Sequence, residues 1–118
     1  FSKKLGYYAK DHIDYDAVIS MNESKGACLA GVGIDSNVPL NKYFTESRDY
    51  FIQGNFDEKK MLFPHDSMKI ELEKYIDKLS NFTEQQKAGW ICGLGHGILK
   101  ETPEENVKTF VKMIREAF

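Results

Sequence analysis

Four short apolar runs recur along the chain, each closed by a turn signal and followed by a helical pattern. They are Gly6–Ala9, Ala27–Asp35, Tyr50–Asp57 and Ala88–Gly97. The last three are nearly unbroken in apolarity up to their C-terminal ends, which predicts strands buried on both faces of a parallel sheet. Helical spacing fills the gaps. Asp16–Glu23 carries Ala17, Val18 and Met21, a weak amphipathic turn or two. Pro39–Ser47 begins with a proline and puts Leu40, Tyr43 and Phe44 on one side. Asp66–Leu79 gathers Met68, Leu72, Tyr75, Ile76 and Leu79 on one face and Lys69, Glu71, Glu73, Lys74 and Lys78 on the other, with Asp66 as the expected N-cap. The last helix is expected to open at Thr102-Pro103-Glu104-Glu105. Thr102 would cap it, Pro103 would take the first helical position, and Val107, Phe110, Val111 and Ile114 would form its apolar stripe.

Strand alternating with helix implies right-handed βαβ units and a parallel sheet. Each unit takes roughly 30 residues, so four units use the 118 residues. A whole (β/α)8 barrel needs about 250 residues. The α/β pattern therefore fits either half of such a barrel or a small open four-stranded sheet, and spacing alone does not separate them.

Composition narrows the partners. Hydrophobic residues make up 42% and charged residues 29%, ordinary for one globular domain. A formal net charge of -2 offers no basic excess for phosphate neutralisation, which argues against nucleic acid. The apolar runs are short and glycine-broken, so no transmembrane helix is expected. Phe1-Ser-Lys-Lys opens the chain without a long apolar stretch, so no signal peptide is read there, and the missing initiator Met suggests a chain cut from something longer. Cys28 and Cys92 each sit in a glycine-flanked apolar segment and read as buried, reduced thiols, which fits a cytoplasmic protein.

In a parallel α/β architecture, ligands meet the C-terminal ends of the strands. The polar residues expected there are Lys10, Asp11 and His12, then Asp35, then Gln53, Asn55 and Asp57, then His96. Most have a plain structural reading as well. Lys10, Asp11 and His12 fit a solvated loop, Asp35 and Asp57 fit helix caps, Asn55 after Gly54 fits a turn, and His65 shows no cluster around it. His96 differs. Gly95 and Gly97 flank it and Gly93 lies just before, so the backbone can approach a ligand closely around an imidazole able to donate, accept or carry charge. The segment is neither a Walker loop nor a dinucleotide fingerprint, because both spacings are missing.

The stretch GLGHGILKETPEENV, Gly93–Val107, resembles the C-terminal signature of the uroporphyrinogen decarboxylase family, Leu-Gly-His-Gly followed by a Thr-Pro-x-x-Asn/His-Val helix start. FIQGNFD (Phe51–Asp57) is similar to the family's Leu-Gln-Gly-Asn-Leu-Asp. GVGID (Gly31–Asp35) is similar to its Val-Val-Gly-Leu-Asp-Trp, and YYAKDH (Tyr7–His12) to its Phe-Ala-Lys-Gly/Asp segment. The four motifs occur in order and cover nearly the whole chain. The resemblance implies a single (β/α)8 barrel of which this chain is the C-terminal half. It implies a cytosolic homodimer acting on a tetrapyrrole, removing the carboxyl groups of the four acetate side chains of uroporphyrinogen to give coproporphyrinogen, with no metal and no organic cofactor. It implies His96 as the active-site histidine, with Asn55, Asp57 and Asp35 as substrate-pocket residues that shape the site more than they react. It also implies that the arginines and the aspartate that do most of the family's chemistry belong to the N-terminal half; this chain itself holds two arginines, Arg48 and Arg115. Departures are Ser36 for Trp, Glu58 for Pro, Cys92-Gly93 before Leu-Gly-His-Gly, and Lys100-Glu101 before Thr-Pro.

Two rivals stand beside this reading. A corrinoid-linked methyltransferase of the same superfamily would bind zinc through a His-x-Cys pair, and no His-x-Cys occurs in the chain. A non-catalytic half-barrel would leave open sheet edges, to be covered by dimerisation or swapping.

Overall fold

A computed structural model describes residues 5–8, 16–17, 19–20, 29–45 and 48–118. Strands β1 (Leu5–Tyr8), β2 (Leu29–Gly33), β3 (Phe51–Gln53) and β4 (Trp90–Ile91) form one sheet in the order β1-β2-β3-β4. Every pairing is parallel, with Tyr8 beside Gly33, Gly33 beside Gln53 and Gln53 beside Ile91. The fold is α/β, an open sheet consistent with part of a (β/α)8 barrel. β1 is offset by one residue from the run that predicts it, and β2, β3 and β4 are each shorter than theirs. The ends of the runs leave the ladder to build loops, yet stay buried, as Ile34 and Phe56 do.

Two long helices meet the sequence expectation closely. α1 (His65–Ser80) buries Met68, Leu72 and Leu79, and α3 (Glu104–Ala117) follows the Thr-Pro motif. Their caps differ from expectation. Pro64, not Asp66, is the N-cap of α1, and Asp66 lies inside the first turn. Pro103 is the N-cap of α3, in an extended conformation with ψ 135°, so Thr102 stands one residue outside and makes no cap bond; its hydroxyl is buried without a partner. The Pro39–Ser47 pattern yields only a 3₁₀ turn at Leu40–Lys42, and residues 46–47 lie outside the described residues. Of the Asp16–Glu23 helix, residues 16–17 and 19–20 are helical. Two elements escape the periodicity because they are too short to show it. One is the 3₁₀ segment Glu58–Leu62, capped by Asp57. The other is α2 (Glu84–Lys87), held by a capping box between Thr83 and Gln86.

The helix-facing side of the sheet carries the core. Leu29, Val32, Ile34 and Ile52 pack with Leu40, Tyr43, Phe44 and Leu79. Phe56, Met61, Met68 and Leu72 continue it under α3, where the Phe56 and Phe110 ring centroids lie 5.6 Å apart. A register shift between Leu5 and Gly6 marks a bulge. It lets Leu29 share the core side with Val32 although three positions separate them. Arg48 staples the two ends of this layer. Its guanidinium donates to the carbonyls of Thr45 (3.0 Å), Gln86 (2.6 Å) and Ala88, and lies over the Phe44 ring.

The other side of the sheet corrects the expectation of burial on both faces. Gly6, Tyr8, Gly31, Gly33, Phe51 and Gln53 line an open hollow there, and Tyr8 is 47% exposed. Glycine has no side chain to bury, and among the described residues no strand lies opposite this face. The glycines instead give room to aromatic neighbours. A Cβ on Gly31 would lie 2.2 Å from the Phe51 ring, and one on Gly33 would lie 2.6 Å from the Tyr8 ring.

Candidate functional site

The turn after β4 is built from three directions. Phe56 N–H donates to Gly93 O (3.0 Å) and Gly95 N–H donates to Phe56 O (2.8 Å), which extends the β3–β4 pairing past the strands as a bridge at Leu94. The Tyr8 hydroxyl, from β1, donates to Gly95 O at 2.6 Å. A Cβ on Gly95 would sit 2.3 Å from Ser36 N, so the turn lies directly on the loop leaving β2 and accepts only glycine there. In a flat sheet β1 and β4 would stand three steps of about 4.8 Å apart, beyond the reach of a tyrosine. The contact therefore requires that the sheet and this turn curl toward β1.

His96 follows Gly95 and lines the hollow of about 460 Å³ with Tyr8, Gln53 and Gly97. Its Nδ1 lies 3.3 Å from the Gly97 carbonyl oxygen, and the ring is partly exposed. The hollow thus offers one imidazole, one carboxamide and one phenol over a floor of glycine backbone. This set can donate and accept hydrogen bonds to a large polar ligand.

The other expected site residues turn their polar atoms elsewhere. Asp35, buried, accepts at Oδ1 from Asn37 N–H (3.0 Å) and Asn37 Nδ2 (3.1 Å), a local turn. Asn55, buried, donates from Nδ2 to Asp35 O (3.0 Å) and Val38 O (2.5 Å), tying the β3 end to the loop after β2. Its N–H donates to the Tyr75 hydroxyl at 2.9 Å, which itself donates to Gly54 O (3.2 Å). Asp57 Oδ1 accepts from Lys59 N–H (2.9 Å) as a cap. Asn55 and Asp57 border a separate open cleft against α1 with Lys60, Lys74 and Lys78, away from His96. The strand ends thus bring His96 and Gln53 together in the hollow, while Asp35, Asn55 and Asp57 hold the loops behind them. Lys10, Asp11, His12 and Cys28 lie outside the described residues.

Gly54 explains why the β3 motif centres on glycine. Its φ is +127°, and a Cβ there would lie 2.6 Å from Ile34 O. Its carbonyl also accepts from Trp90 Nε1 (2.8 Å), which locks β4 in place. Burial pushes the Tyr75 phenol well above its ordinary value and the Cys92 thiol up to about 12. Both groups are therefore neutral and structural near pH 7. His65, read as structural, places Nε2 2.8 Å from Thr109 Oγ1 and joins α1 to α3. Tyr8 is not among the site residues that the sequence points to. The signal for it was its place two residues after Gly6, on the same strand face. Among the described residues no three His, Cys, Asp or Glu side chains gather as a metal site, and no helix is long and apolar enough to cross a membrane.

Comparison with known proteins places the chain. Residues 5–117 match the family model described as Uroporphyrinogen decarboxylase (URO-D). The chain is 40% identical over 81 residues to the uroporphyrinogen decarboxylase of Chlamydia muridarum, covering 68% of this chain and 23% of that protein. It is 38% identical over 85 residues to that of Rickettsia bellii, covering 72% and 23%, and 38% identical over 94 residues to that of Orientia tsutsugamushi, covering 78% and 25%. The chain spans about a quarter of the length of the curated relatives it matches. A match running from β1 to the end of α3, through the turn that carries His96, means that this chain belongs to the uroporphyrinogen decarboxylase family.

Proposed function

We propose that this chain is the C-terminal part of a carboxy-lyase that decarboxylates the four acetate side chains of uroporphyrinogen, yielding coproporphyrinogen for haem and tetrapyrrole biosynthesis. The observation that carries this reading is the position of His96 at the mouth of the last strand, over an open hollow, within a chain-long family match. In each step the bond between the acetate CH2 and its carboxylate breaks and CO2 leaves. A pyrrole protonated beforehand takes up the electron pair, the resulting exocyclic carbon is protonated to a methyl group, and the ring gives up the proton it first took, which restores the pyrrole. The protein must supply protons, stabilise a cationic pyrrole and grip carboxylates. His96 contacts a substrate carboxylate or a water bound to it, as a donor in the hollow. Asn55, Asp57 and Asp35 serve the substrate pocket by fixing the strand-end loops.

Arg48 is committed to backbone carbonyls and Arg115 lies on exposed α3, so arginines that grip carboxylates come from the rest of the barrel. The reading therefore includes a cytosolic, homodimeric, cofactor-free full-length enzyme and an isolated chain without turnover. Assay of the full-length protein with uroporphyrinogen under anaerobic conditions tests it. His96→Ala should slow turnover by about tenfold or more, or change which acetate is lost first. Wild-type kinetics in that variant, turnover by the isolated chain, or stoichiometric bound zinc would each overturn the reading.

A further inference from the structure

Tyr7 and Tyr8 of β1 both border the hollow; Tyr7 packs against the core, while the Tyr8 hydroxyl reaches the residue that precedes His96. Two independent observations show this contact to be built in. The bond to Gly95 O is 2.6 Å long and joins positions 87 apart in sequence. Gly33, directly beside Tyr8 in the sheet, is kept clear for the ring, since any Cβ would strike it at 2.6 Å. The Gly95 carbonyl belongs to the same planar peptide as the His96 N–H, so holding that oxygen fixes the plane from which His96 departs. The other end of Gly95 is already held by Phe56 O and its Cα rests on Ser36.

Resting on the functional reading above, we propose that Tyr8 is a positioning residue for His96: its hydroxyl sets the Gly95–His96 peptide and thereby aims the imidazole into the substrate hollow. Tyr8 need not touch the reacting atoms. Without the hydroxyl, the hold that β1 places on this peptide is gone and the imidazole samples other directions, while the ring still covers Gly33.

The test compares wild type, Tyr8→Phe and Gly33→Ala in the full-length protein. Tyr8→Phe keeps the ring and removes the donor. Gly33→Ala keeps the donor and displaces the ring. Both should shift the His96 backbone amide and imidazole NMR resonances. Tyr8→Phe should lower kcat about threefold to tenfold with KM changed less than about twofold, the size expected for one lost hydrogen bond. In unaltered protein, a nuclear Overhauser contact should join the Tyr8 ring to Gly95, a readout that stands even if both variants misfold. Unchanged His96 resonances in folded Tyr8→Phe, or no Tyr8–Gly95 contact in wild type, would overturn the proposal. If the wild type fails to turn over uroporphyrinogen, the functional reading falls while the resonances still decide the positioning role.

Discussion

Asn106 should behave as a structural clamp of α3, and its removal gives a measurable cost. The residue is 1% exposed, and its Nδ2 donates both hydrogens, to Met61 O at 2.8 Å and to Phe63 O at 2.9 Å. It thus fastens the first turn of α3 to the 3₁₀ segment before α1. Asn106→Ala loses two bonds worth about 1 kcal/mol each and leaves a buried and a half-buried carbonyl short of a donor. The helix-propensity gain of alanine returns only about 0.5 kcal/mol. The expected net loss is about 2–3 kcal/mol. Asn106→Asp nearly preserves the shape but replaces the donor group with an acceptor facing two carbonyls, so it should cost at least as much. Trp90 is the only tryptophan, and its ring centroid stands 5.3 Å from that of Phe118 at the end of α3. Urea unfolding followed by its fluorescence therefore reports on this helix directly. If both variants unfold within about 0.5 kcal/mol of the parent, at unchanged slope, the two bonds do not clamp the helix.

Two further predictions follow from strand β3 and its neighbour. Gly54→Ala places a Cβ at φ +127° and 2.6 Å from Ile34 O, so it should cost about 3 kcal/mol or prevent folding; a parent-like urea midpoint would contradict this. Cys92, pushed up to about 12 by burial, should be alkylated by iodoacetamide at pH 8 more than about a hundredfold slower than an exposed thiol, read by mass mapping. The raised thiol also sets a sign for stability. Its contribution is complete below the unfolded thiol's range near 8.5 and declines as pH rises toward 12, so alkaline unfolding should bring fast labelling of Cys92.

The sequence exposes those parts of this fold that rest on long periodicity. α1 and α3 are legible because their apolar positions recur over several turns, and the strands because short apolar runs close on turn signals. Boundaries are less legible, for reasons seen at particular residues. Pro103 and Pro64 take cap positions in extended conformations, so the cap side chains expected at Thr102 and Asp66 find no role there. The Leu40–Lys42 turn shows a face like that of a helix because Leu40, Tyr43 and Phe44 all enter the core, which a single turn also allows. At the site, the glycine frame around His96 is visible in sequence. The division between His96 in the hollow and Asn55, Asp57 and Asp35 behind it is not. Which way a strand-end side chain turns is decided by partners distant in sequence, such as Tyr75 for Asn55.

The reach of Arg48 bears on how the short last strand is held. β4 is only two residues long and pairs in parallel, so it has little ladder of its own to nucleate on. The carbonyls of Gln86 and Ala88 that Arg48 binds come just before it, some forty positions downstream. The guanidinium thus ties the approach to the last strand to the residues just before β3, a hold that a two-residue ladder does not supply.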